Sequence, residues 1–179
     1  MKIYLAGPDV FLPNAMHMGQ AKAAICAQMG LEALYPLDAD LEIDWETAPK
    51  PSQAQAIFQS NLALMDRADA VLANLTPFRG PSADAGTVWE IGYAFGRGLP
   101  VFGYSNCADP FAQRTRAFLA AAQDGLSVED FALPSDNLMI HFALQAYFAH
   151  ACADIWGDLR SFELAAARAA ETLRQPLSS

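Results

Sequence analysis

The sequence is short of positive charge, short of cysteine and without long apolar runs, and each shortage closes a class of function. Eleven Lys and Arg stand against 20 Asp and Glu, a formal net charge of −9. A surface of that sign repels phosphate backbones, which argues against DNA or RNA partners and leaves small neutral or cationic molecules as ligands. No basic cluster offers a membrane anchor. Cys26, Cys107 and Cys152 are odd in number and widely spaced, with no CxxC or CxxH pair. Neither a disulfide framework nor a zinc site is expected from that spacing, and His17, His141 and His150 add no metal-binding pattern. The opening run Lys2 to Ala6 is too short for a signal peptide, and no stretch of about 18 apolar residues could span a bilayer. Together these absences point to a reducing cytoplasm. There is also no GxGxxG after the first apolar run and no GxxxxGK followed by Ser or Thr, which disfavours a dinucleotide fold or a P-loop kinase.

What is present is a chain that is 53% hydrophobic and only 17% charged. Its 179 residues fit a single domain, 1–179. So low a charge content predicts that part of the exterior is hidden in a homo-oligomer. Residues 2–6 read as a buried strand stopped by Gly7-Pro8. Residues 15–30 read as a helix ending at Gly30, 31–37 as a strand, and 38–51 as a polar loop. A helix follows over 52–67 with Ser52 as its cap, then a strand at 70–75 and a loop at 76–83. Asp84 opens a helix that runs to Arg97, and a strand lies at 101–104. Helices are expected at 110–123, 137–154 and 160–174. The alternation implies a parallel sheet covered on both faces, with ligands bound where the strands end. That places the site in the loops 7–11, 76–84 and 104–109.

Residues 74–93 carry the chemistry. Asp84 stands where an N-cap belongs, a role worth about 1 kcal/mol, and a capping carboxylate can still serve a ligand. Glu90 has Gly86, Thr87, Tyr93 and Ala94 as helical neighbours, so little is available to pair with it, and Gly86 leaves room beside it. Either Glu90 reaches solvent along the helix, or it is an unpaired carboxylate retained for a task. A task that suits it is attack on an anomeric carbon, which splits one difficult displacement into two easier ones.

The segments Tyr4 to Phe11, Ala68 to Val71, Leu75 to Gly80, Asp84 to Ala94 and Asp136 to Met139 together resemble the nucleoside 2-deoxyribosyltransferases. The resemblance spans roughly residues 3 to 142. It implies a flavodoxin-like α/β fold, a three-layer sandwich around a central parallel sheet, and transfer of a 2-deoxyribosyl group between nucleobases without a cofactor. By the same resemblance Glu90 is the nucleophile and Tyr4 hydrogen-bonds it. Asp84 binds the sugar or helps protonate the base, and Gly7 and Phe11 form the loop and wall against the nucleobase. Asn137 and Met139 match residues that a neighbouring subunit contributes, and Gly86 and Asn61 fall among the substrate-binding positions. Asn61 replaces an aspartate found in several members, and an amide is a poor general acid. Protonation of the leaving base then falls to Asp84, Asp9 or water. Arg79 orders its own loop or contacts substrate. His141, near Asn137, lines the pocket or sits on a helix surface. Trp45 is expected to fold back on its own core rather than cover a base. Two rival readings are a nucleoside or nucleotide N-glycoside hydrolase, in which water resolves the same intermediate, and a nucleotide sensor that has lost the chemistry.

Overall fold

Lys2-Ile3-Tyr4-Leu5-Ala6 holds no backbone breaker until Gly7, and it forms the strand β1 (Lys2–Ala6). The computed structural model describes residues 1–39, 41–122 and 125–175. After β1 come α1 (Ala15–Gln28), β2 (Glu32–Leu34), α2 (Lys50–Asp66), β3 (Ala70–Asn74), α3 (Ala85–Gly96) and β4 (Val101–Ser105). Then follow α4 (Phe111–Ala122), α5 (Leu138–His141), β5 (Ala146–Ala149) and α6 (Arg160–Arg174). All strand pairings are parallel, and the order across the sheet is β2-β1-β3-β4-β5. This is the flavodoxin-like winding, whose switch point lies between β1 and β3.

The period of two along β1 sorts the two faces. Ile3 and Leu5 pack with Cys26 of α1 and with Phe162, Ala165, Ala166 and Ala169 of α6. Tyr4 and Ala6 pack with Met65 of α2, Ile91 and Ala94 of α3 and Ile140 of α5. Helices therefore cover both faces, as a sheet whose strands are apolar on both sides requires. α1 and α3 both stop at a glycine with φ of 73°, Gly30 and Gly98, a conformation that side chains with a Cβ resist. No helix among the described residues is long and apolar enough to cross a membrane.

Two expectations are corrected. Helix α2 begins at Lys50 with Pro49 at its N-cap position, so Ser52 sits inside the first turn. Residues 137–154 do not form one helix. Asn137 caps the four-residue α5 by accepting the Met139 N–H at 2.9 Å, and the chain then enters β5 at the sheet edge, where Phe102 pairs with Ala146. Backbone pairing with β4 overrides the local helical pattern there.

Candidate active site

Tyr4 is fully buried in the middle of the sheet, and its hydroxyl donates to Glu90 Oε1 at 2.6 Å. The two residues are 86 positions apart. They meet because β1 and β3 are neighbours and α3, which follows β3, packs over the face that carries Tyr4. Glu90 is half-buried. Burial pushes its carboxyl up to about 7, against the Tyr4 hydrogen bond, which favours the anion, while the nearby Asp84 charge adds a further rise. The same burial, with Glu90 beside it, holds the Tyr4 hydroxyl far above the usual phenol range. Tyr4 is therefore a donor that keeps its proton while the carboxylate titrates.

Asp84 caps α3, and its Oδ2 accepts the N–H groups of Gly86 (3.0 Å) and Thr87 (3.2 Å). Its position depends on a second carboxylate. Asp136 is completely buried and takes Ser82 Oγ (2.6 Å), Ala83 N (2.9 Å) and Asn137 N (2.8 Å), with Arg114 at 3.5 Å. Arg114 in turn donates to the carbonyls of Pro81, Asp109 and Ser135. This clamp ties the end of the loop after β3 to the segment entering α5, one residue before Asp84.

Glu90, Asp84, Gly86, Gly7, Phe11 and Asn61 line one cleft of about 490 Å³. Its apolar wall comes from the loop after β2 and from α2, including Leu37, Trp45 and Ile57. Trp45, expected to fold back on its own core, is instead half exposed on the cleft wall. The buried amide of Gln53 positions it by donating to the carbonyls of Trp45 (3.0 Å) and Ala48 (2.9 Å). Two further polar atoms at the cleft are buried without a hydrogen-bond partner, Asn61 Oδ1 and Thr87 Oγ1. An unmet buried polar atom costs about 1–3 kcal/mol, which a ligand can recover. Thr87 was not singled out from the sequence. Its position within the helix-opening motif, one turn before Glu90, was the available signal.

The other candidates lie elsewhere. Asp9 is 4% exposed and does not line the cleft. Lys22 Nζ stands 2.7 Å from its Oδ1, and Asn74 Nδ2 donates to both of its oxygens at 3.2 and 3.1 Å. Lys22 also donates to the Tyr104 hydroxyl at 2.7 Å. This buried cluster pins the loop after β1, and it packs so closely that a Cβ at Gly7 would stand 2.6 Å from Asp9 Oδ2 and 2.8 Å from Asn74 Cβ. Arg79, at φ 56°, lays its guanidinium over Phe78 (4.5 Å) and Phe11 (4.9 Å), whose rings stack at 5.4 Å. It does not line the cleft. The His141 ring bonds Ser135 Oγ at 2.8 Å, also away from it. Asn137 faces Glu129, and Met139 is 75% exposed, so neither touches the cleft of its own chain.

Residues 3–139 match the family model described as nucleoside 2-deoxyribosyltransferase. A 2-deoxyribosyltransferase from Leishmania mexicana is similar in structure, with a TM-score of 0.64 at 30% identity, covering 95% of this chain and 97% of that one. A 2-deoxyribosyltransferase from the psychrotolerant Bacillus psychrosaccharolyticus shares the fold, with a TM-score of 0.55 at 22% identity over 88% of this chain and 92% of that one. An uncharacterized protein of Schizosaccharomyces pombe is 32% identical over 117 residues, 65% of this chain and 55% of that protein, so the match spans about half of that relative's length. The family match begins in the strand that carries Tyr4 and runs past the capping Asn137, taking in both cleft carboxylates on the way, and the chain belongs to the nucleoside 2-deoxyribosyltransferase family.

Proposed function

We propose that the protein transfers a 2-deoxyribosyl group between nucleobases through a covalent ester on Glu90, with retention at C1′. The observation that carries this reading is a half-buried carboxylate at the cleft, bonded to a tyrosine hydroxyl at 2.6 Å and with no cationic partner among the described residues. Tyr4 holds Oε1 and leaves Oε2 to attack C1′ of a 2′-deoxynucleoside. The C1′–N bond breaks, its electron pair leaves with the base, and a proton from Asp84 or water neutralises that base. Asp9 is removed from the donors weighed above, because Lys22 and Asn74 occupy both its oxygens. An incoming base then attacks C1′ from the vacated face, the C1′–O bond to Glu90 breaks with its electron pair on the carboxylate, and the ring N–H proton of the base passes back to Asp84 or water. Two inversions give net retention.

The cleft fits such substrates. Phe11 and Trp45 offer flat apolar surface for a base, and Asn61, Thr87 and Asp84 Oδ1 supply polar atoms for the base edge and sugar hydroxyls. No Lys, Arg or His is among the described residues lining it. A nucleotide phosphate would meet Asp84 and Glu90 with no compensating cation, so a nucleoside is favoured over a nucleotide. By the family resemblance, Asn137 and Met139 complete the cleft of a neighbouring subunit, which agrees with their place outside their own.

Incubation with deoxyinosine and adenine, followed by chromatography, tests the reading. Deoxyadenosine should form with the wild type and not with Glu90→Ala. Hypoxanthine and free deoxyribose without deoxyadenosine would replace transfer by hydrolysis.

A further inference from the structure

His150 follows β5 directly, Cys152 lies two residues on, and Asp158 stands just before α6. The sequence pattern offers no CxxC or CxxH pair here, but the β5–α6 connection folds back on itself. A ring nitrogen of His150, the Cys152 thiol and a carboxylate oxygen of Asp158 come within 4.8 Å of one another. None of the three lines the cleft.

The cluster is held in place from behind. His150 Nδ1 is 2.6 Å from the hydroxyl of Ser161, which is fully buried in the first turn of α6. That bond orients the ring so that Nε2 points at Asp158 Oδ1, 3.2 Å away. Oδ1 also accepts the Arg160 N–H at 2.8 Å. Metal-bound histidines characteristically use their second nitrogen in this way, to fix ring orientation. The loop between the donors is shaped by its own hydrogen bonds. Asn106 Nδ2 donates to the carbonyls of Ile155 (3.0 Å) and Asp158 (2.7 Å), and Asp154 accepts the N–H of Gly157 at 2.8 Å. The Cys152 thiol donates to two carbonyls, that of Asp154 at 3.4 Å and that of Asn106 at 3.6 Å. A thiol is a weak donor, so these bonds cost little to exchange for a metal–sulfur bond.

We propose that His150, Cys152 and Asp158 bind a divalent transition ion of the zinc type, with water as the fourth ligand. One sulfur, one imidazole nitrogen and one carboxylate oxygen form a donor set that zinc accepts in tetrahedral geometry, whereas magnesium and calcium require oxygen throughout. Binding converts the thiol to a thiolate and releases its proton to solvent. The ion's role is to brace. Trp156, inside the clasped loop, packs edge-on against Phe78 at 6.0 Å, and Phe78 stacks on Phe11 of the cleft wall. Closing the loop around an ion fixes the ring that supports that wall.

The test is titration of the full-length, chelator-treated and reduced chain with cobalt(II), followed by displacement with zinc(II). One equivalent should bind, giving a thiolate-to-cobalt charge-transfer band and the intense visible bands of a tetrahedral site. Cys152→Ser should abolish the charge-transfer band. Ser161→Ala, which removes only the group behind the histidine, should weaken binding by about tenfold or more. Zinc should raise the melting temperature of the wild type and leave that of Cys152→Ser unchanged, with circular dichroism reporting whether each variant is folded. Binding below one equivalent, or a charge-transfer band that survives Cys152→Ser, would overturn the proposal. The residues would then form only a hydrogen-bonded His–Asp–Ser cluster.

Discussion

Two carboxylates near the carboxyl ends of the strands, Asp9 and Glu90, live in opposite surroundings. Asp9 is buried against the Lys22 ammonium and the Asn74 amide, so every lone pair that matters has a donor and the charge is balanced on the spot. Glu90 faces a neutral phenol and an open cleft, and its neighbouring charge is another carboxylate. The first arrangement holds a loop in one place. The second leaves an oxygen unclaimed and a carboxyl that titrates near 7. The partner, more than depth, separates a carboxylate held as a charged structural group from one whose carboxyl is pushed up and left facing a cleft. A buried ion pair is costly to break, whereas a carboxylate without a cation is costly to keep charged.

That contrast can be broken from either side. Glu90→Gln keeps the shape and an oxygen for the Tyr4 hydrogen bond but removes the proposed nucleophile. We expect transfer to fall by about 10⁴-fold or more, read as kcat in the deoxyinosine–adenine assay. Lys22→Met strikes the other carboxylate. It leaves the Asp9 charge buried without its cation, and urea unfolding should register a loss of about 3–5 kcal/mol. An unchanged unfolding midpoint would mean that the Asp9 cluster does not hold the loop.

The same Glu90→Gln protein should be more stable than the wild type above pH 7, the reverse of the Lys22 result. The folded Glu90 carboxyl titrates near 7 and the unfolded one near the ordinary 4.5, so the folded state binds more protons between those values. Its contribution to stability is full below the unfolded value and is lost as pH rises through the folded one. The shift bounds the gain at about 3 kcal/mol, and screening at the open cleft reduces it to about 1–2 kcal/mol. Urea unfolding at pH 4 and pH 8 should give near-equal stability at the first and a difference at the second. Tyr4→Phe is the mildest change. Losing a hydrogen bond that favours the anion raises the Glu90 carboxyl further, so the acidic limb of the kcat/KM profile should move to higher pH, with a loss of about tenfold at neutral pH. A limb that stays in place would detach Tyr4 from the Glu90 titration.

Much of this was legible in the sequence where local pattern and tertiary structure agree. The runs at Lys2–Ala6 and Ala70–Asn74 are buried strands, and Asp84 opens its helix as its place before Ala85 predicts. β5 was missed because its four residues, three half-buried and one exposed, carry no period that separates strand from helix, and only pairing with β4 decides. Lys22 was missed for a related reason. A lysine in a helix reads as surface, and its burial depends on Asp9 and Tyr104, brought to it by β1 and β4. Trp45 lines the cleft through an anchor, Gln53, whose role depends on where the loop after β2 returns to α2. The carboxylates of the cleft were legible because they share one short helix-opening segment. The contact of Glu90 with Tyr4 entered through the family resemblance, since nothing local connects a strand residue to one 86 positions later.

The most direct test of the covalent account is rapid quenching of the wild-type enzyme with a 2′-deoxynucleoside and no acceptor, followed by peptide mass spectrometry. The account predicts one deoxyribosyl group on the peptide that contains Glu90, formed as the first base is released and discharged when a second base is added. Release of base in a burst with no adduct at any time, together with transfer by Glu90→Gln at the wild-type rate, would contradict it.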